Sequence, residues 1–106
     1  MKSIKQCGIA PKIIAQLQEV FARFAAIDRV ILYGSRAKGN YKAGSDIDIS
    51  IKTKGEAENS LLYAVIDAID ELDLVYYFDI SLFDKLENPE LIEHIQRVGV
   101  QLYAAK

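Results

Sequence analysis

Asp46 and Asp48 flank a single isoleucine, and that spacing matters if the segment is extended. On a strand, residues two apart project from the same side, so both carboxylates point one way. A third acid, Asp79, lies in another apolar stretch, Val75 to Phe83. There Phe78, Ile80 and Leu82 share one side, and Tyr77, Asp79, Ser81 and Phe83 share the other. If the two strands are neighbours, the three carboxylates converge. Close anions raise one another's pKa values, and a divalent cation relieves the repulsion. Carboxylate oxygens are the preferred ligands of Mg²⁺, which keeps waters or substrate phosphates as its remaining ligands. An isolated Asp-x-Asp pair more often marks the solvent side of an edge strand, and Asp79 alone reads equally well as a solvent-facing residue. Asp84 is the fallback third acid, at the strand end and on the opposite parity.

The residues before the pair add specificity. Gly34 stops the apolar run Val30 to Tyr33, and Ser35 follows at once. Glycine permits a sharp turn and lets a phosphate approach without a Cβ in the way. If a short helix begins at Ser35, the amides of Gly34 to Ala37 and the Ser35 hydroxyl can cradle a terminal phosphate. Arg36 and Lys38 add positive charge. Lys38 reads as solvated surface, and Arg36 reads either as a phosphate contact or as the partner of an acid elsewhere. The P-loop pattern fails because Asn40 follows Gly39 where lysine is required, and G-x-G-x-x-G is absent.

Holding these residues requires a sheet. Pro11 suits a first helical turn. Ile13, Leu17, Val20, Phe21 and Phe24 then recur at helical spacing, predicting a helix that ends near Ala26. Val30 to Tyr33 has the length of a buried strand. Ser45 to Lys52 alternates, with Asp46, Asp48 and Ser50 opposite Ile47, Ile49 and Ile51. Leu61, Leu62, Val65, Ile66, Ile69 and Leu72 form a second helical stripe, followed by the strand carrying Asp79. Asn88-Pro89-Glu90 is a helix start with cap, proline and acid in order. Gly99 is a stop, and Val100 to Tyr103 a short last strand.

The resulting order, αβαβαβα with a possible final strand, predicts an α/β (α+β) fold: a small mixed β-sheet flanked by helices. Too few residues separate the first two strands for a helical crossover, so they should be antiparallel. The helix before the third strand permits a parallel partner there.

The totals suit such a domain. A chain of 106 residues fits one domain, spanning residues 1–106, with little area left for a separate acceptor-binding module. The net charge of −2 argues against direct nucleic-acid binding. Cys7, the single cysteine, cannot form an internal disulfide, and no apolar run reaches membrane-spanning length. The N-terminus lacks the long apolar stretch of a signal peptide, so the reading is cytoplasmic. His94, the one histidine, reads as a helix-surface residue, and Tyr41 as a loop-surface residue.

Gly34-Ser35, ten residues, then Asp46-Ile47-Asp48 resembles the G-S-x10-D-x-D motif of the DNA polymerase β-like nucleotidyltransferase superfamily. Gly34-Ser35-Arg36-Ala37-Lys38-Gly39 with Ser45-Asp46-Ile47-Asp48 resembles its minimal, MNT-type branch, and the resemblance covers nearly the whole chain. It implies that Asp46, Asp48 and Asp79 hold two divalent ions, Mg²⁺ or Mn²⁺. It implies that Gly34 and Ser35 bind the triphosphate of ATP, and Arg36 beside them is the further candidate for that contact. It also implies a partner: minimal relatives pair with helical HEPN-domain toxins, and some act as antitoxins by transferring AMP to a toxin tyrosine. The acceptor would then be held by that partner or by a second copy, in a hetero- or homo-oligomer. The competing readings are a catalytically weak module that neutralises its partner by contact, and a small-molecule nucleotidyltransferase.

Overall fold

The computed structural model describes residues 7–106. The first residues of the N-terminal stretch, read above as no signal peptide, lie outside them. Helix α1 (Pro11–Ala22) carries Pro11 in its first turn and buries Ile14, Leu17, Val20 and Phe21. It stops one turn before the expected Ala26. The chain must turn there to enter the sheet: the Ile27 amide donates to the Phe24 carbonyl, and the Ala26 carbonyl already accepts from Lys54.

Strand β1 (Ile27–Tyr33) leads into a one-turn helix, α2 (Gly34–Lys38), closed by Gly39 in the left-handed conformation. Strand β2 (Ile47–Thr53), helix α3 (Asn59–Asp70), strand β3 (Phe78–Leu82), helix α4 (Pro89–Val98) and strand β4 (Val100–Ala104) complete the order. The short final strand is real. Strands β2 and β3 begin later than the alternation predicts, at Ile47 and Phe78 rather than Ser45 and Val75. Lys42 to Ser45 is instead closed into a turn by the Ser45 hydroxyl, which accepts from the Lys42 amide at 2.8 Å.

The sheet has the order β3-β2-β1-β4 and is mixed. The pair β1–β2 is antiparallel, as its short connection requires, and β2–β3 is parallel, as its helical connection permits. Ile47, Ile49 and Ile51 of β2 and Val30 and Leu32 of β1 are fully buried. That face packs beneath α1 and α3 and forms the core with Leu17, Phe21, Val65 and Leu82. Each such side chain contributes roughly 1.5–3 kcal/mol of burial. Helix α4 packs on β1 across the opposite face, beside α2. Asn88 caps α4 by accepting from the Glu90 amide at 2.9 Å.

Candidate active site

The functional side chains lie on the sheet face opposite the isoleucines. In the parallel ladder Asp48 is the register partner of Asp79, and Ser50 of Ser81. Two strand neighbours in register carry their side chains to the same side, which brings the two carboxylates together. Asp46 precedes the ladder by one residue, but the Ile47 amide already bonds the Tyr77 carbonyl at 2.9 Å, so Asp46 stands at the mouth of the same row. Asp46 and Asp79 are exposed and Asp48 half-buried.

Strand β1 places the glycine turn against this row. Tyr33 pairs with Asp48 across the antiparallel ladder. The next residue, Gly34, has φ +75°, a conformation that L side chains rarely adopt. A Cβ at Gly34 would overlap the Asp48 carboxylate. The turn is therefore glycine for two reasons, its dihedral and the contact with Asp48. The first amides of α2 have no partners within the helix and carry its positive end.

Burial raises the pKa of Asp48 above the ordinary carboxylate range, and Asp79 and then Asp46 push it the same way; only His94 opposes them. Asp48 thus lies within electrostatic reach of both other acids. Among the described residues no three acidic, histidine or cysteine side chains are gathered tightly enough to enclose an ion by themselves. The donor set is nevertheless that of a hard divalent cation whose shell is completed by water or phosphate oxygens. Behind the carboxylates, the Ser81 hydroxyl donates to the fully buried Ser50 hydroxyl at 3.0 Å. Ser50 therefore belongs to the interior, despite its polar-face parity. The Tyr33 hydroxyl has a raised pKa, first through burial and next through Asp79.

Arg36 is 2 % exposed. Its Nε and Nη2 donate to the Ser45 carbonyl at 3.2 and 3.0 Å, and its Nη1 donates to the Cys7 carbonyl at 3.0 Å. The guanidinium lies between two rings, 5.1 Å from the centre of Tyr41 and 4.9 Å from that of Tyr76. The guanidinium forms a buried clamp here, because its fork matches the carbonyls of the segments it joins. Lys38 is exposed, as read from the sequence, and Asp84 sits in a 3₁₀ turn at Phe83–Lys85, outside the ladder.

Two other side chains differ from their sequence readings. His94 is half-buried on α4, edge-on to Tyr33 with ring centres 6.2 Å apart, and its charge reaches Asp48. Tyr41 is half-buried between Arg36 and the Gly8 backbone. Neither position carries a local sequence signal, since the contacts join segments far apart in the chain.

This arrangement can be compared with known proteins. The family described as "Polymerase beta, Nucleotidyltransferase" matches residues 15–106. The chain belongs to the polymerase beta nucleotidyltransferase family. It is an enzyme of this class, and a nucleotide is its substrate. A Methanocaldococcus jannaschii protein named "Putative protein adenylyltransferase" is 31% identical over 78 residues, covering 72% of this chain and 79% of that protein. The fold is also similar to a crystal structure described as a toxin-antitoxin with AMP-PNP, with a TM-score of 0.63 at 22% identity, covering 90% of this chain and 73% of that one. The fold is similar as well to a Sulfolobus solfataricus structure described as a "putative nucleotidyltransferase", with a TM-score of 0.58 at 24% identity, covering 98% of this chain and 89% of that one. The expected polymerase β-like fold is borne out.

Proposed function

We propose that this nucleotidyltransferase is a protein adenylyltransferase that transfers AMP from ATP to a hydroxyl, a tyrosine hydroxyl, of a HEPN-domain toxin, and so acts as its antitoxin. The observation that carries the reading is the contact between the Gly34 turn and Asp48, with Asp79 in register beside it. A phosphate seated on the turn meets the carboxylate row directly. The named adenylyltransferase relative supports AMP as the transferred group, and the fold shared with a toxin-antitoxin structure supports the pairing.

Asp46, Asp48 and Asp79 are the residues that would hold Mg²⁺ or Mn²⁺, which when bound neutralises triphosphate charge and acidifies the acceptor hydroxyl. Gly34 and Ser35 bind the triphosphate through backbone amides and the Ser35 hydroxyl. The acceptor oxygen forms a bond to the α-phosphorus, the bond from that phosphorus to the bridging oxygen breaks, and pyrophosphate leaves. Asp79 is exposed on the row and takes the hydroxyl proton. Tyr33 and Ser81 stand beside the row, Tyr33 as the register partner of Asp48 and Ser81 two residues beyond Asp79.

The test incubates the purified chain with Mg²⁺, α-labelled ATP and the HEPN-domain partner. Label on a partner tyrosine, lost in Asp46→Asn, is the expected outcome. A stable, neutralised complex that never carries label, and is indifferent to Asp46→Asn, would replace this reading with neutralisation by contact.

A further inference from the structure

Between Lys54 and Lys85 every charged residue is acidic, although the chain as a whole holds 13 basic residues against 15 acidic ones. This interval builds α3, the turn after it and β3. It also contains the most exposed large apolar side chains among the described residues, Val75 at 89% and Tyr77 at 81%. Both stand on the approach to β3, which among the described residues is an edge strand with no neighbour on its outer side. Shallow hollows of about 210 and 230 Å³ open beside them, and both are lined by Asp70, Tyr76, Tyr77 and Phe78. Among the described residues neither has a lysine or arginine in its wall.

The position relates this edge to the reaction. Tyr77 is two residues before Asp79, and its carbonyl holds the Ile47 amide beside Asp46. A chain bound along the edge thus lies next to the carboxylate row. Exposed tyrosine in an apolar setting is a common anchor in protein recognition. The end of the edge before β3, where Asp70, Glu71 and Asp73 gather, selects the opposite charge and repels nucleic acid, whereas Lys85 stands at the far end of β3.

We propose that this edge is the docking surface for the protein that presents the acceptor hydroxyl, and that the docked segment is basic with apolar anchors. The inference rests on the protein-adenylylation reading above. Val75 and Tyr77 grip the anchors, and Asp70, Glu71 and Asp73 attract the flanking lysines or arginines. The acceptor residue is thereby delivered towards Asp79.

Binding can be measured without turnover, so failure of the transfer reaction and failure of the docking surface are separable. Three fluorescent peptides of equal length serve as probes: a tyrosine flanked by lysine and leucine, the same with glutamate for lysine, and the same with serine for leucine. The lysine–leucine peptide should bind the wild-type chain at least about tenfold more tightly than either control. Its advantage over the glutamate peptide should collapse at about 1 M salt, where screening acts within about 3 Å. Val75→Ser with Tyr77→Ser, and separately Asp70→Lys with Glu71→Lys, should each weaken binding about tenfold while ATP-analogue affinity stays unchanged. Equal binding of the three peptides, or wild-type affinity in both variants, would overturn the proposal. So would self-association that Val75→Ser with Tyr77→Ser abolishes, because it assigns the surface to a second copy.

Discussion

Replacing Arg36 by methionine keeps the apolar stem and removes the guanidinium. Two carbonyl acceptors then lose charged donors, that of Cys7 in the interior and that of Ser45 in a part-buried position. An unsatisfied buried acceptor costs about 1–3 kcal/mol. The faces of Tyr41 and Tyr76 lose a cation each, together about 1–2 kcal/mol. Against these losses, the variant no longer desolvates a charge, which is worth several kcal/mol in the other direction. The net destabilisation is about 2–4 kcal/mol, which moves a urea midpoint down by roughly 1–3 M for a domain of this size. Arg36→Lys should recover less than half, since a point charge cannot fork between the carbonyls. The clamp also anchors Ser45, the residue before Asp46. Turnover measured at a temperature where both proteins are folded should therefore fall more than the KM for ATP rises. If Arg36 instead contacts the triphosphate, the midpoint will stay at the wild-type value and the KM will rise alone. That result would refute the clamp.

Gly34→Ala should lose about 1–2 kcal/mol from its positive φ alone, and more from the overlap with Asp48; denaturation and calorimetric titration with an ATP analogue check it, and wild-type values in both would remove the case for a glycine-dependent turn. Asp48 has a raised pKa in the folded chain, so the folded state holds its proton more tightly than the unfolded state does. Stability from this group is complete below the unfolded value, about pH 4, and is lost as pH rises through the raised folded value. Without metal, Asp48→Asn should therefore be more stable than wild type at pH 7.5, with the difference shrinking near pH 4. A less stable variant at pH 7.5 would contradict the assigned repulsion.

The helix stripes were legible because burial on one side imposes a period that the sequence displays. Leu17, Val20 and Phe21 of α1, and Val65 and Ile69 of α3, are all buried. The antiparallel direction of β1–β2 followed from connection length, since a short link cannot bridge a parallel pair, whereas the helical link before β3 only permitted its parallel pairing. Element ends were less legible. At Ser45 and Val75 the alternation of residue types continues past the point where backbone hydrogen bonds to neighbouring strands begin.

The candidate site divides along the same line. Asp46 and Asp48 on one side of one strand, and a glycine turn before them, are local properties, so residue type and spacing sufficed. That Asp79 pairs with Asp48 depends on strand register, which the sequence allowed without specifying. The tasks of Arg36, Tyr41 and His94 were decided only by tertiary packing. A long cation can reach phosphate, acid or carbonyl with equal ease, and only the folded chain determines which acceptors surround it. The burial of Arg36 between Tyr41 and Tyr76 closed one set of options, and the approach of α4 brought His94 to the carboxylate row. Periodicity and spacing determined which elements form, because they express local geometry; the three-dimensional structure decided which side chains meet, because contacts between distant segments leave no period to read.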